Sequence, residues 1–434
     1  MRKMKDSGVA WLESIPETWN LLQLGSLFLE HKHKNVGMQS SNLLSLSYGK
    51  IIQKNINATD GLLPESFEGY NVIDAGDIVL RLTDLQNDQR SLRVGLCGES
   101  GIITSAYTTL RRRNDALNSK YFYYLLHSYD IRKGFYGMGA GVRQGLNYAG
   151  VRKIMLTVPP ESEQTAIAEC LDRKTAQVDA LIANVQAQIE KLKAYKQSLI
   201  TEVVIKGLDP NVPMRDSGVE WIGKIPKHYD VIRMRYLINN YKAGPFGSAL
   251  ITDQLQSDGD ILCYTPEHIA NQSTESNKNL YLPENRRKEM SQFFVSVGDI
   301  IFPIVGSLGR AMVITSDMPA GIINQRLAKF SIDAKKMDIN YFMWLFAKSS
   351  FFHPFIDLFQ RGSIIVNLTK AIIYDMPMIV PPTLEEQKII ASYLDTKCAE
   401  IDQLIAVKQS KIEKLEQYKR SLIYEYVTGK KEIC

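Results

Sequence analysis

One stretch of the chain, from Glu163 to Gly207, constrains the fold more than any other. No proline or glycine occurs from Glu161 to Lys206, so nothing in the sequence interrupts a helix there. Apolar residues recur in it at alternating steps of four and three, at Val178, Ile182, Val185, Ile189 and Leu192. That spacing is typical of a coiled-coil seam, whereas a strand alternates at every second residue. The sequence therefore predicts a long helix, which Gly207 can cap in the left-handed conformation.

The same stretch occurs a second time, from Glu386 to Gly429. A shift of 223 positions places Gln164 on Gln387, and about 23 of the 41 positions starting at Gln164 then match without a gap. The apolar seam returns, with Lys408 in one position and the others filled by Ile401, Ile405, Ile412 and Leu415. Self-similarity of this length indicates an internal repeat.

Each predicted helix follows the same lead-in, a double proline after a short apolar segment. The prolines are Pro159-Pro160 in the first half and Pro381-Pro382 in the second. In the second half, Thr383 is followed three residues later by Glu386. This spacing predicts a capping box, in which each of the two side chains bonds to the backbone N–H of the other residue.

The repeat also includes the beginning of each half. Residues 4–19 read MKDSGVAWLESIPETW, and residues 214–229 read MRDSGVEWIGKIPKHY. Each half is thus a globular segment of roughly 150 to 170 residues followed by one long helix, and that size suits a single domain. The predicted domains are two globular segments at residues 1–158 and 208–380, and two helical segments at residues 159–207 and 381–434.

The composition predicts a soluble cytoplasmic protein. The 434 residues suffice for two domains with full cores, and a net charge of +5 only weakly favours a nucleic-acid partner. The five cysteines form no CxxC pair, which argues against zinc or disulfides and for a reducing compartment. His31 and His33 have no third ligand nearby, so no metal site is predicted. No apolar run is long enough to span a membrane.

The globular segments combine short strands with one apolar helix each. Gly76-Asp77 and Gly298-Asp299 each predict a tight turn that leads into a buried strand. Apolar helices are predicted at residues 120–132 and 339–359, the latter with a break at Pro354. The predicted fold class is α+β, with two mixed α/β domains separated by two long antiparallel coiled-coil helices in a pseudo-two-fold internal repeat.

The order of these elements has a geometric consequence. If the two helices pack antiparallel, the second helix returns to the first globular domain, and the two domains are held at a fixed separation. About 40 helical residues at 1.5 Å each give a length of about 60 Å. This length exceeds the roughly 34 Å between successive major-groove faces of B-DNA. Two readers at a fixed separation suit a DNA site that is split into two parts.

The repeated helices and opening motifs resemble the conserved regions of the specificity subunits of type I restriction-modification systems. Short motifs of the second half look like those of their target-recognition domains, namely GPFGS at residues 244–248, GDIIF at residues 298–302 and GSLGR at residues 306–310. The first half lacks GPFGS and has a different sequence, residues 81–98, where the second has GSLGR. The two halves are therefore expected to read different DNA sequences.

The resemblance implies a non-catalytic subunit that reads a bipartite, asymmetric site in double-stranded DNA. Two methylation subunits, which bind S-adenosylmethionine and modify adenine N6, are expected to dock on the helices, and two ATP- and Mg-dependent restriction subunits to join them. This chain itself is expected to bind no cofactor, and its helices to set the spacer between the half-sites. The apolar residues beyond the seam are the candidates for partner docking, namely Tyr195, Leu199, Tyr418 and Leu422.

Sequence-specific reading requires forked donors or amides near loop tips, such as Arg on guanine or Asn and Gln on adenine. The candidate DNA contacts of the first domain are Arg81, Thr83, Asn87, Arg90, Arg93, Arg143 and Gln144. Those of the second domain are Lys242, Ser248, Arg310, Gln325, Arg326, Arg361 and Ser363. Two basic clusters, at residues 111–113 and 286–288, either neutralise phosphates or are plain solvated charge. Gly244 either lets the backbone approach a phosphate or merely turns the chain.

Two other functions compete with DNA reading. A DNA-modifying enzyme needs an Asn/Asp-Pro-Pro-aromatic tetrad, whereas the double prolines here stand in Val-Pro-Pro-Glu and Val-Pro-Pro-Thr, and no GxxxxGK(S/T) phosphate loop is present. Asp172, Asp333 and Asp395 begin D-x-K triplets like those of nucleases, but no converging acid pair accompanies them. A coiled-coil interaction scaffold without DNA specificity is the alternative that stays open. It explains the helices but not two dissimilar domains on nearly identical helices.

Overall fold

A computed structural model describes residues 2–57, 64, 66–85, 88, 91–136, 138, 145–246, 249–305, 309–352, 354–356 and 368–433. By its contacts the chain divides into two compact units. Unit 1 comprises Met1–Gln186 and Lys408–Cys434, and unit 2 comprises Ala187–Val407. Each unit therefore contains one globular head together with a segment of each long helix.

Both predicted long helices are present. The first spans Glu161–Lys206 and the second spans Leu384–Val427. The backbone leaves them through Gly207 and Gly429, whose φ angles of 74° and 70° lie in the left-handed region that favours glycine. Five seam positions are buried, namely Val178, Val185, Ile189, Ile401 and Ile412, and the other apolar seam positions are half-buried, namely Ile182, Leu192, Ile405 and Leu415.

The capping box of the second helix forms only in part. The Glu386 N–H donates to Thr383 Oγ1 over 3.2 Å. The Glu386 carboxylate does not return to Thr383, because it accepts a hydrogen bond of 2.8 Å from the Tyr229 hydroxyl. Unit 1 repeats this contact, with Trp19 Nε1 donating to Glu163 Oε2 over 3.0 Å. The opening motif of each head is thus tied to the first turn of a long helix, and this tertiary bond replaces half of the local one.

The head of unit 1 is a set of short strands around one central sheet. Its strands span Met4–Asp6, Ser14–Pro16, Asn20–Gln23, Phe28–Glu30, Leu44–Ser47, Lys50–Gln53, Asn71–Ile73, Ile78–Leu80, Val94–Leu96, Gly101–Ile103, Thr108–Arg112 and Met155–Val158. Its helices span Leu24–Leu27, Ser119–Ile131 and Tyr148–Val151. The central sheet is antiparallel, in the order Phe28–Glu30, Thr108–Arg112, Ile78–Leu80, Val94–Leu96. The last strand pairs with Asn20–Gln23 and leads into the first long helix.

The head of unit 2 repeats this plan. Its strands span Met214–Asp216, Lys224–Pro226, Asp230–Arg233, Ile238–Ala243, Leu262–Tyr264, Ile300–Pro303, Met312–Val313, Gly321–Ile323, Leu327–Ile332 and Pro377–Val380. Its α-helices span Pro266–Asn271, Ile339–Met343 and Lys370–Asp375, and short 3-10 turns span Met234–Tyr236, Thr252–Gln254, Glu284–Arg286 and Ser291–Phe293. The antiparallel central sheet has the order Ile238–Ala243, Leu327–Ile332, Ile300–Pro303, Met312–Val313. Pro377–Val380 pairs with Asp230–Arg233 and leads into the second long helix.

The tight turns predicted before the central strands are confirmed in both heads, and both turn glycines have positive φ. The turn carboxylates are buried and ion-paired with a cation on the neighbouring strand of the sheet. Asp77 Oδ2 lies 2.6 Å from Arg111 Nη2, and Asp299 Oδ2 lies 2.9 Å from Lys329 Nζ. Because a buried carboxylate needs a partner, this pair fixes the turn against the sheet.

A repeated buried glutamine joins each head helix to the start of a long helix. In unit 1, Gln164 Oε1 accepts a hydrogen bond of 2.9 Å from the Asn118 N–H. In unit 2, Gln387 Oε1 accepts a hydrogen bond of 2.6 Å from the Asp338 N–H. Asn118 and Asp338 are the N-cap residues of the two head helices. The glutamine side chains thus explain why this position is kept in both copies of the repeat.

The same head helices also hold the end of the other long helix. The Tyr121 hydroxyl donates to the carbonyl oxygen of Val427 over 2.9 Å in unit 1. The Tyr341 hydroxyl donates to the carbonyl oxygen of Val204 over 3.1 Å in unit 2. Within each unit, therefore, one long helix begins and the other ends against the same head.

The helix segments of each unit are bridged by an ion pair. In unit 1, Asp179 Oδ2 lies 2.7 Å from Lys419 Nζ. In unit 2, Asp402 Oδ2 lies 2.6 Å from Lys196 Nζ. These residues are equivalent in the internal repeat, since a shift of 223 positions places Asp179 on Asp402 and Lys196 on Lys419. Together with the contacts at the heads, each ion pair shows that the two helix segments of a unit run in opposite directions.

The apolar helix predicted over residues 339–359 is interrupted before the break expected at Pro354; residues 354–356 are helical again, while residues 353 and 357–359 lie outside the described residues. It spans Ile339–Met343 and continues as one π-helical turn over Trp344–Lys348. The helix ends at Ser349, before the predicted break at Pro354, because the Ser349 hydroxyl donates to the Leu345 carbonyl oxygen over 2.6 Å. A serine side chain that bonds to its own backbone competes with the next helical turn.

Two properties of the described residues concern membrane insertion and cysteine reactivity. None of their helices is both long and apolar enough to cross a membrane. Their cysteines are free and buried, at Cys97, Cys170, Cys263 and Cys398. Burial raises the pKa of the Cys97 thiol to about 11 and that of the Cys263 thiol to about 12, so both thiols are protonated and unreactive at neutral pH.

Candidate nucleic-acid interface

The loop at residues 81–88 of unit 1, of which residues 81–85 and 88 are described, follows the strand Ile78–Leu80 and is hydrogen-bonded to Arg93. The Arg93 side chain is fully buried. Its guanidinium donates to four backbone carbonyls of the loop, those of Arg81, Thr83, Asp84 and Asp88. Its Nε donates to the Tyr136 hydroxyl over 3.0 Å. Arg93 was a candidate for direct DNA contact, but a buried guanidinium with these acceptors shapes the loop and does not lie on its surface.

Two other candidates of unit 1 do lie at the surface of this loop. Arg81 keeps 31% of its side chain exposed and lies 3.5 Å from the Asp88 carboxylate. Thr83 is exposed. The Leu146 N–H donates to the Leu82 carbonyl over 2.9 Å, which joins the loop to the segment just before the helix Tyr148–Val151. The remaining candidates lie outside the described residues, namely Asn87, Arg90, Arg143 and Gln144.

Unit 2 joins its equivalent segments in the same way. The Leu368 N–H donates to the Ile304 carbonyl over 2.8 Å. The Ile304 N–H donates to the Arg326 carbonyl over 2.9 Å. The end of the central strand, the turn with Gln325 and Arg326, and the segment just before the helix Lys370–Asp375 therefore meet. Three candidates lie outside the described residues, namely Ser248, Arg361 and Ser363.

Gly244 is a point of close backbone approach within unit 2. Its N–H donates to the Leu327 carbonyl over 2.8 Å. A Cβ atom at this position would lie 1.8 Å from the Asn324 carbonyl oxygen. A side chain is thus excluded because the backbone packs on the turn before Arg326, and this contact requires glycine without any phosphate.

The described candidates of unit 2 separate into two groups. Lys242 precedes Gly244 by two residues, and Gln325 and Arg326 follow Asn324, on which Gly244 packs, so these three belong to backbone segments that meet. The Arg326 side chain lines a cleft with Thr265, Glu267 and His268, whereas Lys242 lines another one. Arg326 is exposed, and no described residue forms an ion pair with it. Arg310 is also exposed but lines a different cleft, beside Ile269 and Met343.

Sequence reading missed an aromatic pocket next to Lys242. The pocket has a volume of about 680 Å³, and its lining includes Tyr241, Lys242, Phe246, Phe293, Ile304 and Lys370. Lys242 Nζ lies 5.2 Å from the centre of the Phe293 ring. Phe246 is 77% exposed at the rim. The GPFGS motif contains this phenylalanine and was the one signal that could have indicated the pocket.

Arginines of the two basic clusters form ion pairs with carboxylates of their own heads. Arg111 forms hydrogen bonds with Asp77 that raise the pKa of its guanidinium, and a further ion pair of 2.6 Å with Asp74. Arg286 and Arg287 each form an ion pair with a glutamate three residues away. These three arginines therefore stabilise the heads, and each would have to leave a carboxylate before it could neutralise a phosphate.

The four docking candidates on the long helices differ in exposure. Tyr195 is 58% exposed and Tyr418 is 52% exposed. Leu199 is half-buried against the core of unit 2, whereas Leu422 is 1% exposed within the core of unit 1. Leu422 thus packs inside its own unit and offers no surface. Sequence reading missed two exposed leucines at repeat-equivalent positions, which are Leu181 and Leu404.

Each unit has a cleft where its ion-paired helix segments meet the head. The cleft of unit 2 has a volume of about 720 Å³ beside Trp344, and that of unit 1 has a volume of about 520 Å³ beside His127 and Asp130. In unit 1, Asp130 Oδ2 accepts a hydrogen bond of 2.6 Å from the Arg93 N–H, while its other oxygen has no described partner. The cleft of unit 1 therefore contains a buried carboxylate that also anchors Arg93.

Burial shifts the pKa values of two groups in this cleft, Asp130 and His127, in opposite directions. Burial raises the pKa of Asp130 from 3.8 to about 6, and the hydrogen bond from the Arg93 N–H only partly opposes the rise. Burial lowers the pKa of His127 from 6.5 to about 4, with help from the cations Lys419 and Arg420. At neutral pH the histidine is therefore neutral, and the aspartate is ionised at a cost in folding free energy.

The substitution Asp130→Asn is expected to stabilise unit 1 at pH 8 by about 2 to 3 kcal/mol and to change nothing at pH 3.5. The folded pKa of Asp130 is raised, so wild-type stability falls as pH rises through the window from 3.8 to about 6. Asparagine removes the ionisation but keeps an oxygen for the Arg93 N–H. Urea unfolding at both pH values measures the difference. The exposed Asp115→Asn is the control, and an equal effect of both substitutions would contradict the assignment.

The comparison with protein families gives one match that covers more than half of the chain. The family described as the type I restriction modification DNA specificity domain matches residues 16–191 and 245–417. The type I restriction enzyme MjaVIII specificity subunit of Methanocaldococcus jannaschii is 22% identical over 423 residues, which cover 96% of this chain and 93% of that protein. The type I restriction enzyme EcoBI specificity subunit of Escherichia coli is 22% identical over 234 residues, 52% of this chain and 48% of that protein.

Solved structures share the fold along nearly the whole chain. The crystal structure of the HsdS subunit from Thermoanaerobacter tengcongensis covers 96% of this chain and 98% of its own, with a TM-score of 0.54 and 14% identity. A chain from a study of complex assembly and conformational transition of the type I R-M system covers 96% of this chain and 99% of its own, with a TM-score of 0.70 and 15% identity. At these identities the likeness concerns the fold alone.

Proposed function

Because the chain belongs to the family of type I restriction modification DNA specificity domains, we propose that each of its units reads one half of a bipartite, asymmetric DNA site. The observation that carries the proposal is the repeated junction of loops in the two heads. The bond from Leu146 to Leu82 in unit 1 and that from Leu368 to Ile304 in unit 2 occupy equivalent positions. The sequences around the two junctions differ, so the same architecture presents different side chains to DNA.

The long helices are proposed to set the spacer between the half-sites as an antiparallel coiled coil. The buried seam positions and the ion pairs Asp179–Lys419 and Lys196–Asp402 support this pairing within the respective units. Charged residues beside a coiled-coil seam fix the register and direction of the helices. A fixed register gives the two half-sites a fixed spacing.

The helices are also proposed to dock two methylation subunits, one at each repeat. Tyr195 and Tyr418 are repeat-equivalent and more than half exposed, and so are Leu181 and Leu404. Exposed tyrosine and leucine at matching positions suit two copies of the same apolar partner surface. In this proposal the chain is non-catalytic, S-adenosylmethionine, ATP and Mg belong to the methylation and restriction subunits, and the complex is cytoplasmic.

The coiled-coil scaffold without DNA specificity remains the competing function. The exposed tyrosines and leucines on the helices serve it equally well. What favours DNA reading is the head of unit 2, where Lys242 and the turn with Gln325 and Arg326 belong to backbone segments that meet at Gly244. A scaffold gives no reason for cations and amides at this point.

Selection from a random DNA library separates the two functions. The chain would be purified together with its methylation subunit and allowed to bind the library at about 0.15 M salt, since non-specific binding dominates at lower salt. Reading by both units predicts a recovered motif of two short blocks with an unspecified spacer. Recovery of random sequence by a complex that has assembled would support the scaffold.

Arg326→Ala is expected to lower affinity for the selected site by about 10- to 100-fold and to relax preference at one position of one block. Arg326 is exposed, has no described ion-pair partner and lines a small cleft with Thr265, Glu267 and His268. Equilibrium binding to single-base variants of the site measures the change. Arg287→Ala removes an arginine that is ion-paired with Glu284 and serves as the control. A loss that is uniform across all sequences, with a smaller salt dependence, would instead indicate a phosphate contact.

A further inference from the structure

Phe246 is largely exposed to solvent, although the backbone on either side of it is hydrogen-bonded. Its side chain is 77% exposed. Its backbone, however, is anchored on both sides, because the Gly244 N–H bonds to the Leu327 carbonyl over 2.8 Å and the Ala249 N–H bonds to the Phe246 carbonyl over 3.3 Å. Gly244 and Pro245 just before it are buried. The ring therefore projects into solvent from an anchored segment of backbone. A large apolar side chain that is fixed in solvent indicates a binding partner.

The charges around the ring limit what that partner can be. Phe246 lies at the aromatic pocket of about 680 Å³, which two lysines also line. Lys370 Nζ lies 4.9 Å from the centre of the Tyr374 ring, and Lys242 Nζ donates to Gln292 Oε1 over 2.5 Å. None of the described lining residues is acidic. Both lysine charges are thus without a carboxylate partner in the pocket, so the surface complements an anion that also carries an apolar group.

The only apolar group on the base edges of the major groove is the 5-methyl group of thymine. A DNA duplex offers this methyl group a few ångströms from its phosphates, in the combination of charge and apolar contact that the pocket presents. Arg326 and Gln325 belong to the turn that packs on Gly244, and the exposed Arg326 lines another cleft of the same head, with Glu267 and His268. The ring of Phe246 supplies the apolar contact that neither of them can make.

We infer that Phe246 reads a thymine in the half-site of unit 2 by contact with its 5-methyl group. This inference rests on the proposed function and deepens it, since it names one base and the side chain that recognises it. The contact requires no flipped base, because the ring at the rim of the pocket can meet the methyl group in an intact major groove. The lysines would lie toward the phosphates.

A double-mutant cycle between protein and DNA tests the contact. The full chain, assembled with its methylation subunit, would be titrated with its cognate duplex and with duplexes in which one thymine at a time is replaced by deoxyuridine. This replacement removes only the methyl group. Every half-site that carries a methylated adenine contains at least one thymine on the opposite strand, so both half-sites can be scanned. Each duplex would be measured with the wild type, with F246A and with F246L.

One thymine is expected to be coupled to Phe246. At that position deoxyuridine weakens wild-type binding about fourfold, the effect of burying one methyl-sized group. F246A weakens binding to the thymine duplex by at least as much, but then binds the thymine and deoxyuridine duplexes equally. F246L retains part of the discrimination. The coupled position is expected in one half-site only. Tyr236 is an exposed aromatic residue outside the pocket, so Tyr236→Ala should leave the discrimination between thymine and deoxyuridine intact.

Other outcomes separate this inference from the function on which it rests. If the wild type binds its split site but the effects of F246A and deoxyuridine simply add at every thymine, the methyl contact is refuted and the proposed function stands. If the assembled wild-type complex has no preferred site, the proposed function itself fails. Circular dichroism of F246A, whose replaced ring is mostly in solvent, verifies that the variant is folded.

Discussion

Replacing Arg93 with lysine is expected to lower the affinity for the cognate site on the order of 100-fold and to erase one of its two blocks from the selected motif. The guanidinium supports four carbonyls of the loop at residues 81–88 and the Tyr136 hydroxyl at once. Lysine places three donors at a single point and cannot match that planar arrangement. Each buried carbonyl left without a donor costs about 1 to 3 kcal/mol, so the loop leaves its position.

The design of this experiment separates loss of the loop from loss of the fold. Library selection with Arg93→Lys should return the block read by unit 2 unchanged, because unit 2 contains no part of this loop. Arg112→Lys, at a side chain that is 43% exposed, is the matched control and should change affinity less than about twofold. An Arg93→Lys variant that still selects both blocks would show that the loop needs no such support.

Insertion of four helical residues after Ala187, together with four after its repeat equivalent Ser410, is expected to lengthen the spacer by one or two base pairs. Four residues add about 6 Å of helix, against about 3.4 Å per base pair of DNA. They also make about one turn, so the seam returns to nearly the same face. The insertions fall between the ion pairs of unit 1 and those of unit 2, and both pairs stay intact.

The measurement is again selection from a random library, now compared for both blocks and for the distance between them. Affinity for the original spacing should fall on the order of 100-fold, because only one half-site can then be engaged at a time. The control replaces four exposed residues at the same place without changing the length. An unchanged spacer would remove the helices as the element that sets the distance, and changed blocks would mean that the insertion disturbs the heads.

Much of the architecture could be predicted from the sequence alone, because the signals for it are periodic or repeated. The two long helices, their glycine caps and the turns before the central strands all depend on local spacing, and all are present. The internal repeat further indicated that equivalent residues have equivalent structural roles. Gln164 and Gln387 are an example, since both cap the N-terminus of a head helix from a long helix.

Less of the candidate site could be predicted from the sequence, because tertiary contacts decide which side chains are buried. Arg93 and Arg81 are the same residue type in one short segment, yet one is fully buried and the other is at the surface. Leu422 continues the apolar pattern of Tyr418, but the head of unit 1 covers it. The sequence left open whether the arginine cluster at residues 111–113 contacts phosphates or is solvated charge, because Asp74 and Asp77, which pair with Arg111, are distant in sequence.

The central claim is that this chain determines which DNA sequence is methylated. Single-molecule sequencing of adenine methylation tests it most directly, in cells that carry the chain with its methylation subunit and in cells from which only this chain is deleted. We expect a split motif with adenine methylation in both blocks, which disappears on deletion. Unchanged methylation after deletion, with the methylation subunit expressed and active, would show that this chain does not select the methylated sequence and would favour the scaffold.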